Sequence, residues 1–548
     1  MKHRKYIFVV GGVMSGVGKG IASSSIAKIL QVKGFRVTAL KIDPYINVDA
    51  GTMNPTEHGE VFVLDDGDET DQDMGNYERF LDVDLSRVNY MTTGRVYEEV
   101  IRKERNLEYK GKNVEVVPDI PLEVIERIEK AADKARADIT VIEIGGTVGE
   151  YQNIIFLEAA RMLKSKHHGD VAFVMVSYLP VPSKIGEMKT KPTQYASRTL
   201  NSAGVQADVI IARSEAPLDQ KRKEKIAVFC NISADRVISA PDVNSIYDVP
   251  INFEKDHLGE NLLEVLNLPS RRKTNLKEWT KFVKKTKNGK KVINIAVVGK
   301  YFDSGSFVLS DVYISVLEAL KFSAYANNVK PKLTYINSKD IENKKFKVAE
   351  LSKYDGLLVP GGFGEAGVEG IIMAIRYARE RKMPFFGLCY GMQLAVIEFS
   401  RNVCGWKDSH TTEISKSTKH PVIDVMPEQK TYLANGKFGA TMRLGAYTAI
   451  LKKGSLAYKS YGSNQISERH RHRYEVNPEY IALIEDKGLI FSGKSKDGRL
   501  CEIAELPARV HPFFLGTQFH PEFKARPLKP HKLFTAFIRA TIKHSRKK

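Results

Sequence analysis

Three residues of the C-terminal half have the types and the order of a nucleophile, its base and an orienting carboxylate. Cys389 is the centre of Gly387-Leu388-Cys389-Tyr390-Gly391, a turn in which flanking glycines permit a sharp bend and a following helix favours the thiolate. His520 and Glu522 are two residues apart, so an extended chain would point both side chains to one side. This pattern predicts thiol chemistry in which His520 moves the proton and Glu522 orients the imidazole.

A second glycine-rich turn completes this chemistry. Residues 360–364, Pro-Gly-Gly-Phe-Gly, follow the apolar strand predicted at 356–359. Their backbone N–H groups, with that of Tyr390, can form an oxyanion hole. A lone buried cysteine is usually structural, and a lone His-Pro-Glu is usually a surface loop. The three pieces together indicate an acyl-transfer site.

The N-terminal half opens with a different kind of chemistry. Residues 11–20 read Gly-Gly-Val-Met-Ser-Gly-Val-Gly-Lys-Gly, between an apolar strand at 6–10 and a segment with helical spacing. Glycine backbone, a helix N-terminus and the Lys19 charge suit a polyphosphate. A tight turn with a solvated lysine is the plain alternative. Gly20 takes the place where a Ser or Thr would bind Mg²⁺, so metal ligands must come from elsewhere.

Acidic and basic residues near predicted strand ends are candidates for the rest of this site. Lys41 follows a strand predicted at 36–40 and is a possible second phosphate contact or a solvated lysine. Residues 65–73 carry too many carboxylates for a buried strand, so they form either a solvated loop or ligands for Mg²⁺. Glu143, in an apolar strand at 138–144 before a glycine run, offers a second carboxylate.

A later segment gathers further phosphate-binding groups. Residues 189–194, Lys-Thr-Lys-Pro-Thr-Gln, place two lysines with hydroxyl and amide groups on what we expect to be a proline-stiffened loop. Such a loop can clamp a second triphosphate. Lys225, in a basic run at 221–225, can join it, although a solvated helix face explains its neighbours better.

The elements that must position these residues alternate between strand and helix. Further strands are predicted at 171–176 and 207–212, and the ligand crevice of such an open parallel sheet lies at the strand C-termini. A basic linker separates a second alternation that starts with a strand at 292–298. We therefore expect an α/β chain with a P-loop-like parallel-sheet domain at 1–268, a linker at 269–291 and a second α/β domain at 292–548.

Composition narrows the class of protein. The 548 residues exceed what one core usually serves, and 43% hydrophobic content favours a globular chain. No apolar run reaches the roughly 18 residues of a membrane helix, and no signal-peptide pattern follows Met1. The charge of +19 is spread along the chain without interleaved aromatics, and the four cysteines lack metal-ligand spacing. We expect a soluble cytoplasmic protein with no nucleic-acid or membrane partner.

The N-terminal half resembles the synthetase (amidoligase) domain of the CTP synthase family. The matching stretches are residues 11–20, 41–49, 58–63, 143–149 and 189–194. The resemblance implies ATP and UTP as substrates, Mg²⁺ as cofactor, GTP as activator, CTP as inhibitor and a homotetramer.

The resemblance also assigns roles in this half residue by residue. It implies an ATP site at Gly16, Val17, Gly18, Lys19, Gly20, Ile21, Lys41, Asp73, Asp242 and Val243, with the last two beside the adenine, and Mg²⁺ on Asp73 and Glu143. It implies a UTP or CTP site at Ser15, Glu150, Tyr151, Gln152, Lys189, Thr190, Lys191, Pro192, Thr193, Gln194 and Lys225.

The chain departs from that family at two places in this half. Glu150-Tyr151-Gln152 stands where Asp-Ile-Glu is usual, in a stretch implicated in pyrimidine-nucleotide contact, so we expect weaker discrimination between CTP and UTP. Pro241 stands where a lysine is common and has no backbone N–H to offer a ligand.

The C-terminal half resembles the class I glutamine amidotransferase domain. The resemblance makes Cys389, His520 and Glu522 catalytic and adds glutamine contacts at Gly362, Tyr390, Gly391, Met392, Gln393, Glu413 and Arg473. Glu413 and Arg473 would bind the α-ammonium and the α-carboxylate. The runs at 441–445 and 468–474 match CTP synthases in particular. Tyr390 replaces the usual leucine, and we expect altered packing with retained activity.

The joint resemblance implies ATP-dependent amination of UTP to CTP with ammonia from glutamine, through a 4-phosphorylated UTP. Another amidoligase fused to the same glutaminase is the alternative, and it should lack the clamp at 189–194. A scaffold ATPase of the MinD type would share the glycine loop but would have no use for Cys389, His520 and Glu522.

Overall fold

The computed structural model describes residues 4–184, 186–289, 291–302, 310–426, 429 and 439–547. The chain divides into two compact units. Unit 1 contains Met1–Asp49 and Asp73–Val283, and unit 2 contains Ala50–Gln72 and Lys284–Lys548. A short segment of the N-terminal half, residues 50–72, therefore belongs to the unit that holds the C-terminal half.

Unit 1 is built on a seven-stranded sheet in which every strand pair is parallel. Every residue of the central strand Lys5–Gly11 is buried, because helices cover both faces of such a sheet and most of its strand residues are apolar. From one edge to the other the strands are Tyr90–Thr92, Val37–Asp43, Ile139–Ile144, Lys5–Gly11, Val171–Tyr178, Val209–Ser214 and Val237–Pro241.

The helices of unit 1 connect these strands. Lys19–Val32 begins directly after Gly18, whose φ of 88° is a left-handed conformation that glycine adopts without strain. The others are Gln72–Leu81, whose first residue belongs to unit 2, Thr93–Arg105, Val116–Lys134, Ile154–Lys166, Lys191–Ser202, Gln220–Cys230, Val249–Lys255, Leu258–Val265 and Lys277–Asn288, which runs on into unit 2. The α/β character and the parallel sheet predicted for this half are confirmed.

One predicted strand boundary in unit 1 was wrong. We expected a strand at 36–40 with Lys41 beyond it, whereas the strand runs Val37–Asp43 and Lys41 pairs with Tyr90 inside the sheet. Lys41 and Asp43 are buried there. Charged residues ended the apolar pattern in the sequence, but the strand continues because these side chains have partners at its carboxyl end.

Unit 2 contains a nine-stranded mixed sheet with Phe385–Leu388 near its middle. The first five strands are parallel to one another, and the last four continue antiparallel. The order is Val329–Asn337, Lys291–Gly299, Gly356–Val359, Phe385–Leu388, Phe514–Thr517, Cys501–Glu505, Ile490–Ser495, Arg443–Leu451 and Gln465–His472. This is the second α/β architecture that the sequence predicts.

Helices and two small sheets complete the described part of unit 2. The helices are Pro55–His58, Ile314–Ala326, Ser338–Glu342, Val368–Glu380, Tyr390–Asn402, Leu456–Tyr461, Pro478–Asp486 and Lys532–Ser545. The small sheets join His410–Thr411, Pro421–Val425 and Tyr474–Val476, and Phe62–Val63 with Glu69–Thr70. Among the described residues, no helix combines the length and the apolar character that a bilayer crossing requires.

Candidate active sites

Cys389 lies at the sharp bend between the strand Phe385–Leu388 and the helix Tyr390–Asn402. Its backbone has φ 50° and ψ −100°, an unusual conformation for a residue with a side chain. The two flanking glycines are required sterically. A Cβ on Gly387 would lie 2.7 Å from the backbone of Gly391, and one on Gly391 would lie 2.4 Å from the carbonyl oxygen of Val359. The bend presents the sulfur at the carboxyl end of the parallel strands.

His520 and Glu522 meet beside this cysteine. The imidazole Nδ1 is 2.7 Å from Glu522 Oε1, and both residues are buried. The extended chain that we expected is wrong, because Pro521–Lys524 is a 3₁₀ turn. Burial alone would lower the pKa of His520, but the Glu522 carboxylate and the Cys389 sulfur raise it to about 10. The site therefore favours an imidazolium next to the sulfur.

Two glutamine side chains form a hydrogen-bonded chain that ends at the sulfur of Cys389. Gln518 donates its side-chain amide to Cys389 Sγ at 3.7 Å. Gln393 donates to Gln518 Oε1 at 3.2 Å and to the carbonyl of Tyr474 at 2.8 Å. Gln393 was expected to contact glutamine, but its side-chain amide is committed to these protein contacts. Gln518 was missed by the sequence reasoning, although it lies two residues before His520.

The glycine turn at 360–364 runs past the same atoms. A Cβ on Gly361 would lie 2.9 Å from the ring of His520. Phe363 N–H donates to the hydroxyl of Tyr301 at 3.0 Å, and Gly364 N–H donates to Glu413 Oε1 at 2.7 Å. Two N–H groups of this turn are thus engaged, and those of Gly361 and Gly362 remain, with that of Tyr390, as candidates for an oxyanion hole.

The predicted partners of a zwitterionic substrate also lie in unit 2. Glu413 is held by Gly364, and burial raises the pKa of its carboxyl. Arg473 donates to Gln429 Oε1 at 2.7 Å, and burial lowers its pKa. The backbone N–H groups of Met392 and of Gln393 donate to the carbonyl of Cys389 at 3.1 and 3.2 Å.

Tyr390, the departure from the family pattern, packs into this site. Its hydroxyl donates to the carbonyl of Gly364 at 2.7 Å, and its ring lies 4.9 Å below the Lys300 ammonium. Burial lowers the pKa of Lys300 to about 8. The tyrosine thus joins the nucleophile turn to the glycine turn through a contact that a leucine cannot make.

A cavity lies next to the cysteine within unit 2. Cys389, His520 and Glu522 line it on one side, and Pro55, Glu60 and Val61 line it on another. The Glu60 carboxylate accepts the N–H of Ser315 at 3.2 Å. The segment 50–72 therefore forms part of the surroundings of the thiol, a contribution that the sequence did not reveal.

In unit 1 the glycine loop and the helix behind it enclose Lys19. The Lys19 ammonium donates to the carbonyl of Gly146 at 2.8 Å, and burial lowers its pKa. Gly20 has no room for a side chain, because a Cβ there would lie 1.9 Å from Asp73 Oδ1. The Asp73 carboxylate thus occupies the place where a Ser or Thr at position 20 would lie. Ser15 and Gly16 are exposed at the outer part of the loop.

Lys41 bridges the two carboxylates that were predicted to bind metal. Its Nζ lies 2.6 Å from Asp73 Oδ2 and 2.8 Å from Glu143 Oε1. The hydroxyl of Tyr77 donates to the other oxygen of Glu143. Burial raises the pKa of Glu143 against the pull of Lys41. Burial also opposes ionisation of Asp73, yet Lys41 keeps the pKa of Asp73 below its ordinary value.

The acidic segment 65–73 is divided between the two units. Asp73 belongs to unit 1, whereas Asp65 and Glu69 belong to unit 2 and pair there with Arg469 and Arg471. Our expectation that these residues avoid buried strands was wrong for Glu69, which is buried in the short strand Glu69–Thr70. Its ion pair with Arg471, at 2.8 Å, makes that burial tolerable.

The expected proline-stiffened loop at 189–194 is mostly helix. Lys191–Ser202 is helical, with Pro192 in its first turn and Thr190 at its N-cap. Proline fits a first turn because the missing N–H has no partner there in any case. Lys189 precedes the helix and pairs with Glu187 at 2.6 Å, and Lys225 also acts electrostatically on Glu187. The basic groups therefore gather near a helix N-terminus, where anions are favoured.

The remaining nucleotide candidates lie at two places in unit 1. Tyr151 is 97% exposed in a 3₁₀ turn, and the Gln152 amide donates to Glu150 Oε2 at 3.0 Å. A cavity of about 390 Å³ is lined by Gly18, Ile21, Arg213, Asp242, Val243 and others. Arg213 pairs with Asp242 and was missed by the sequence reasoning, although it lies near the end of a predicted strand.

Comparison with known proteins covers both halves. Residues 5–268 match the family profile "CTP synthase N-terminus", and residues 308–540 match "Glutamine amidotransferase class-I". The CTP synthase of Methanocaldococcus jannaschii is 49% identical over 549 residues, 99% of each chain. That of Thermococcus gammatolerans is 50% identical over 538 residues, 98% of each chain.

A solved structure, the glutaminase domain of Trypanosoma brucei CTPS with bound acivicin, is 38% identical. The matched region covers 46% of this chain and 94% of the glutaminase-domain chain, with a TM-score of 0.42. The profiles and the full-length relatives show that the chain belongs to the CTP synthase family of glutamine-hydrolysing carbon–nitrogen ligases.

Proposed function

We propose that this protein converts UTP to CTP with ATP, using ammonia that it releases from glutamine. In this proposal a synthetase domain at 1–268 and an amidotransferase domain at 292–548 are joined by a linker at 269–291. One observation carries the proposal. The same chain holds a buried Cys389–His520–Glu522 arrangement and a phosphate-type loop whose Lys19 neighbours the Lys41–Asp73–Glu143 cluster.

Glutamine hydrolysis follows from the geometry around the cysteine. Cys389 Sγ attacks the side-chain amide carbon of glutamine, and the N–H groups of Gly362 and Tyr390 donate hydrogen bonds to the developing oxyanion. The C–N bond breaks as the His520 imidazolium gives its proton to the leaving ammonia. Water, deprotonated by the neutral His520, then cleaves the glutamyl thioester and frees the sulfur. Glu522 holds the ring in position throughout, at 2.7 Å.

Recognition of glutamine uses one charge of each sign. We assign the α-ammonium to Glu413, whose carboxylate already accepts from Gly364. We assign the α-carboxylate to Arg473, whose guanidinium is positioned by Gln429. We assign further contacts with glutamine to Gly391 and Met392, which lie just after the nucleophile in the chain. The cavity beside Cys389 also extends to Pro55 and Val61.

The chemistry in unit 1 is phosphoryl transfer followed by amination. The 4-oxygen of UTP attacks the γ-phosphorus of ATP, ADP leaves, the N3 proton is lost, and a 4-phosphorylated UTP forms. Ammonia then adds at C4, the C–O bond to phosphate breaks, and loss of a proton gives CTP. Lys19 and Lys41 neutralise charge on the transferring group, where positioning and electrostatics supply most of the rate enhancement.

Two carboxylates that converge on one cation fit a hard metal ion. Mg²⁺ commonly uses one or two carboxylates together with phosphates and water. Asp73 and Glu143 would hold it. Once bound, Mg²⁺ supplies positive charge to the phosphate oxygens of ATP.

The two nucleotides occupy different parts of unit 1 in this proposal. Gly16 to Ile21 bind the phosphates of ATP, and the cavity at Asp242 and Val243 receives its adenine. Lys189 to Gln194 and Lys225 bind the triphosphate of UTP or CTP, with Ser15 and Glu150 to Gln152 beside them. By family we further propose a homotetramer that GTP activates and CTP inhibits.

The test is separation of the two activities. CTP formation is followed by the absorbance change from uracil to cytosine, with either glutamine or an ammonium salt. Cys389→Ala should lose glutamine hydrolysis and glutamine-dependent CTP formation, by up to roughly 10⁶-fold for a nucleophile in a triad, and keep the ammonia reaction. Lys19→Ala should lose CTP formation from both nitrogen sources and retain some glutamine hydrolysis.

Cys501→Ala is the matched control, because it removes another buried thiol of the same unit. It should leave both reactions close to those of the unmodified protein. A Cys389→Ala protein that still makes CTP from glutamine at a substantial rate would refute the nucleophile assignment. Absence of any UTP conversion by the unmodified protein, with either nitrogen source, would refute the proposed function.

A further inference from the structure

A cavity lined by arginines lies at the edge of the unit 1 sheet opposite the glycine loop. It forms where three neighbouring strands begin, Val37–Asp43, Ile139–Ile144 and Lys5–Gly11. Its volume is about 600 Å³, and its lining residues are Arg4, Gly34, Arg36, Arg136, Ala137, Asp138 and Arg271. At about 3.3 Å per residue, the seven residues of the central strand separate this edge from the Lys19 end by roughly 20 Å.

The lining has a clear excess of positive charge. Asp138 is its one acid, and Arg36 Nη2 and Arg271 Nη1 share that carboxylate at 2.8 and 2.7 Å. Hydrogen bonds from Arg36 and Arg271 hold the pKa of Asp138 well below its usual range. Arg4 pairs with Asp133 outside the lining. Within the described parts of the chain, the exposed Arg136 guanidinium has no ion pair.

The arginines of this cavity are not needed as hydrogen-bond donors to the last carbonyls of the helix Val116–Lys134, which ends here. The N–H of Ala135 donates to the carbonyl of Ala131 at 3.1 Å, and that of Arg136 donates to the carbonyl of Asp133 at 2.9 Å. Backbone groups therefore already satisfy carbonyls at the end of Val116–Lys134, where basic side chains often serve. The Arg136 guanidinium, which has no ion pair among the described residues, therefore remains available for another role.

The cavity is also held in shape before any ligand arrives. The Arg271 guanidinium lies 4.4 Å from the centre of the Phe35 ring, a cation–π contact that fixes its position. Gly34 has a φ of 97°, and a Cβ there would come within 3.3 Å of Arg271 and Arg272. The glycine therefore lets the segment 271–272 approach closely and place Arg271 opposite Arg36.

We propose that this cavity binds a polyphosphate chain at a site separate from the catalytic nucleotides. Guanidinium groups match phosphate oxygens in pairs and with charge-assisted hydrogen bonds. A chain of linked phosphates places several negative charges along one line, which suits arginines arriving from four separate segments. The volume lies within the range of small-ligand sites, about 300–1,000 Å³.

The test uses inorganic triphosphate as the probe and the full chain without divalent metal, so that binding at the catalytic loop is weakened. Titration calorimetry should show a site that Lys19→Ala retains. Arg136→Gln should weaken that site about tenfold or more, because Arg136 brings an unpaired charge and has no protein partner whose loss would disturb the fold. Affinity should also fall steeply with added salt.

Arg105→Gln is the matched control, because its guanidinium is exposed on another helix of unit 1. It should bind triphosphate like the unmodified protein. Arg271→Gln provides a second variant, with thermal unfolding measured alongside to show that it is folded. The proposal is overturned if triphosphate does not bind the unmodified chain, if Arg136→Gln and Arg271→Gln bind it unchanged, or if Lys19→Ala alone removes the binding.

Discussion

The Asp73 carboxylate fills the space in which a side chain at position 20 would lie, with Oδ1 1.9 Å from an ideal Cβ on Gly20. Position 20 is therefore a glycine because Asp73, from the helix Gln72–Leu81, takes up the space beside it. In the proposed Mg²⁺ site, Asp73 would therefore supply the oxygen ligand that Gly20 cannot.

Restoring a hydroxyl at position 20 should therefore harm the enzyme. Gly20→Ser would push Asp73 away from Lys41, and a strain of about 1–3 kcal/mol that falls on the reacting arrangement corresponds to a loss of roughly 5- to 150-fold in ammonia-dependent CTP formation. Gly20→Ala should lose as much, because the clash is with Cβ and not with the hydroxyl. Full activity in Gly20→Ser would show that Asp73 is free to move without consequence.

Tyr77 should act as a positioning residue for Glu143. Tyr77→Phe removes the hydroxyl that donates to Glu143, and loss of such an outer contact typically weakens metal binding by about 10–100-fold. The expected result is a raised Mg²⁺ requirement for CTP formation with a nearly unchanged rate at saturating Mg²⁺. Tyr90→Phe, which loses a bond to Asp43 instead, is the control. A rate that falls equally at all Mg²⁺ concentrations would contradict this role.

His520 should make stability depend on pH in a defined window. Its pKa is about 10 in the folded protein and about 6.5 in an unfolded chain, so its protonation stabilises the fold fully below pH 6.5. That contribution is lost as the pH rises towards 10. Glu522→Gln removes the largest favourable cause of the shift and should flatten this dependence.

Urea unfolding of the two proteins at several pH values between 6 and 10 measures the effect. The unmodified protein should have its largest advantage over Glu522→Gln near pH 6, and the advantage should shrink towards pH 10. Glu380→Gln, on an exposed helix position of the same unit, should follow the unmodified protein. Parallel curves for Glu522→Gln would show that the carboxylate does not hold the proton on His520.

The ion pair between Glu69 and Arg471 should be important for the stability of unit 2. Glu69→Gln leaves the Arg471 guanidinium, 12% exposed, without its carboxylate, and breaking a buried pair in this way typically costs about 3–5 kcal/mol. We expect a lower unfolding temperature and weaker glutamine hydrolysis. Glu57→Gln, on an exposed position of the same segment, should change neither. An unaltered unfolding temperature in Glu69→Gln would argue against the buried pair.

Gln152 should reduce the discrimination between CTP and UTP. Its amide donates to Glu150 at 3.0 Å, so Gln152→Glu would replace a donor with a second carboxylate and restore the acidic character usual in the family. We expect stronger inhibition by CTP in this variant, measured as a lower inhibition constant at fixed UTP. An unchanged constant would remove Gln152 from the discrimination.

The sequence predicted the elements that carry Cys389 and Lys19, because glycine spacing and apolar strands are local signals. It also predicted which residues gather at the carboxyl ends of the strands. It could not predict that Lys41 lies inside its strand, since burial of a lysine depends on Asp73 and Glu143, which are remote in the chain. It expected an extended chain at His520, whereas Pro521 starts a 3₁₀ turn and the ring still reaches Glu522.

The assignment of residues 50–72 to unit 2 lay beyond any local pattern. Asp65 and Glu69 read as part of one acidic run, and only their partners Arg469 and Arg471 distinguish them from Asp73. Gln518 and Arg213 were missed for a related reason. A side chain that acts by supporting another residue has no spacing signal of its own.

The discontinuity of unit 2 also sets an order of events during synthesis. Asp65 leaves the ribosome 404 residues before its partner Arg469, which at about 5–20 residues per second is roughly 20–80 s. During that interval the rest of unit 1, which ends at Val283, is made, while the segment 50–72 still lacks most of the unit to which it belongs. Unit 2 is complete only when residues 50–72 have packed against its later residues. Glutamine hydrolysis can therefore begin only after unit 1 has been synthesised.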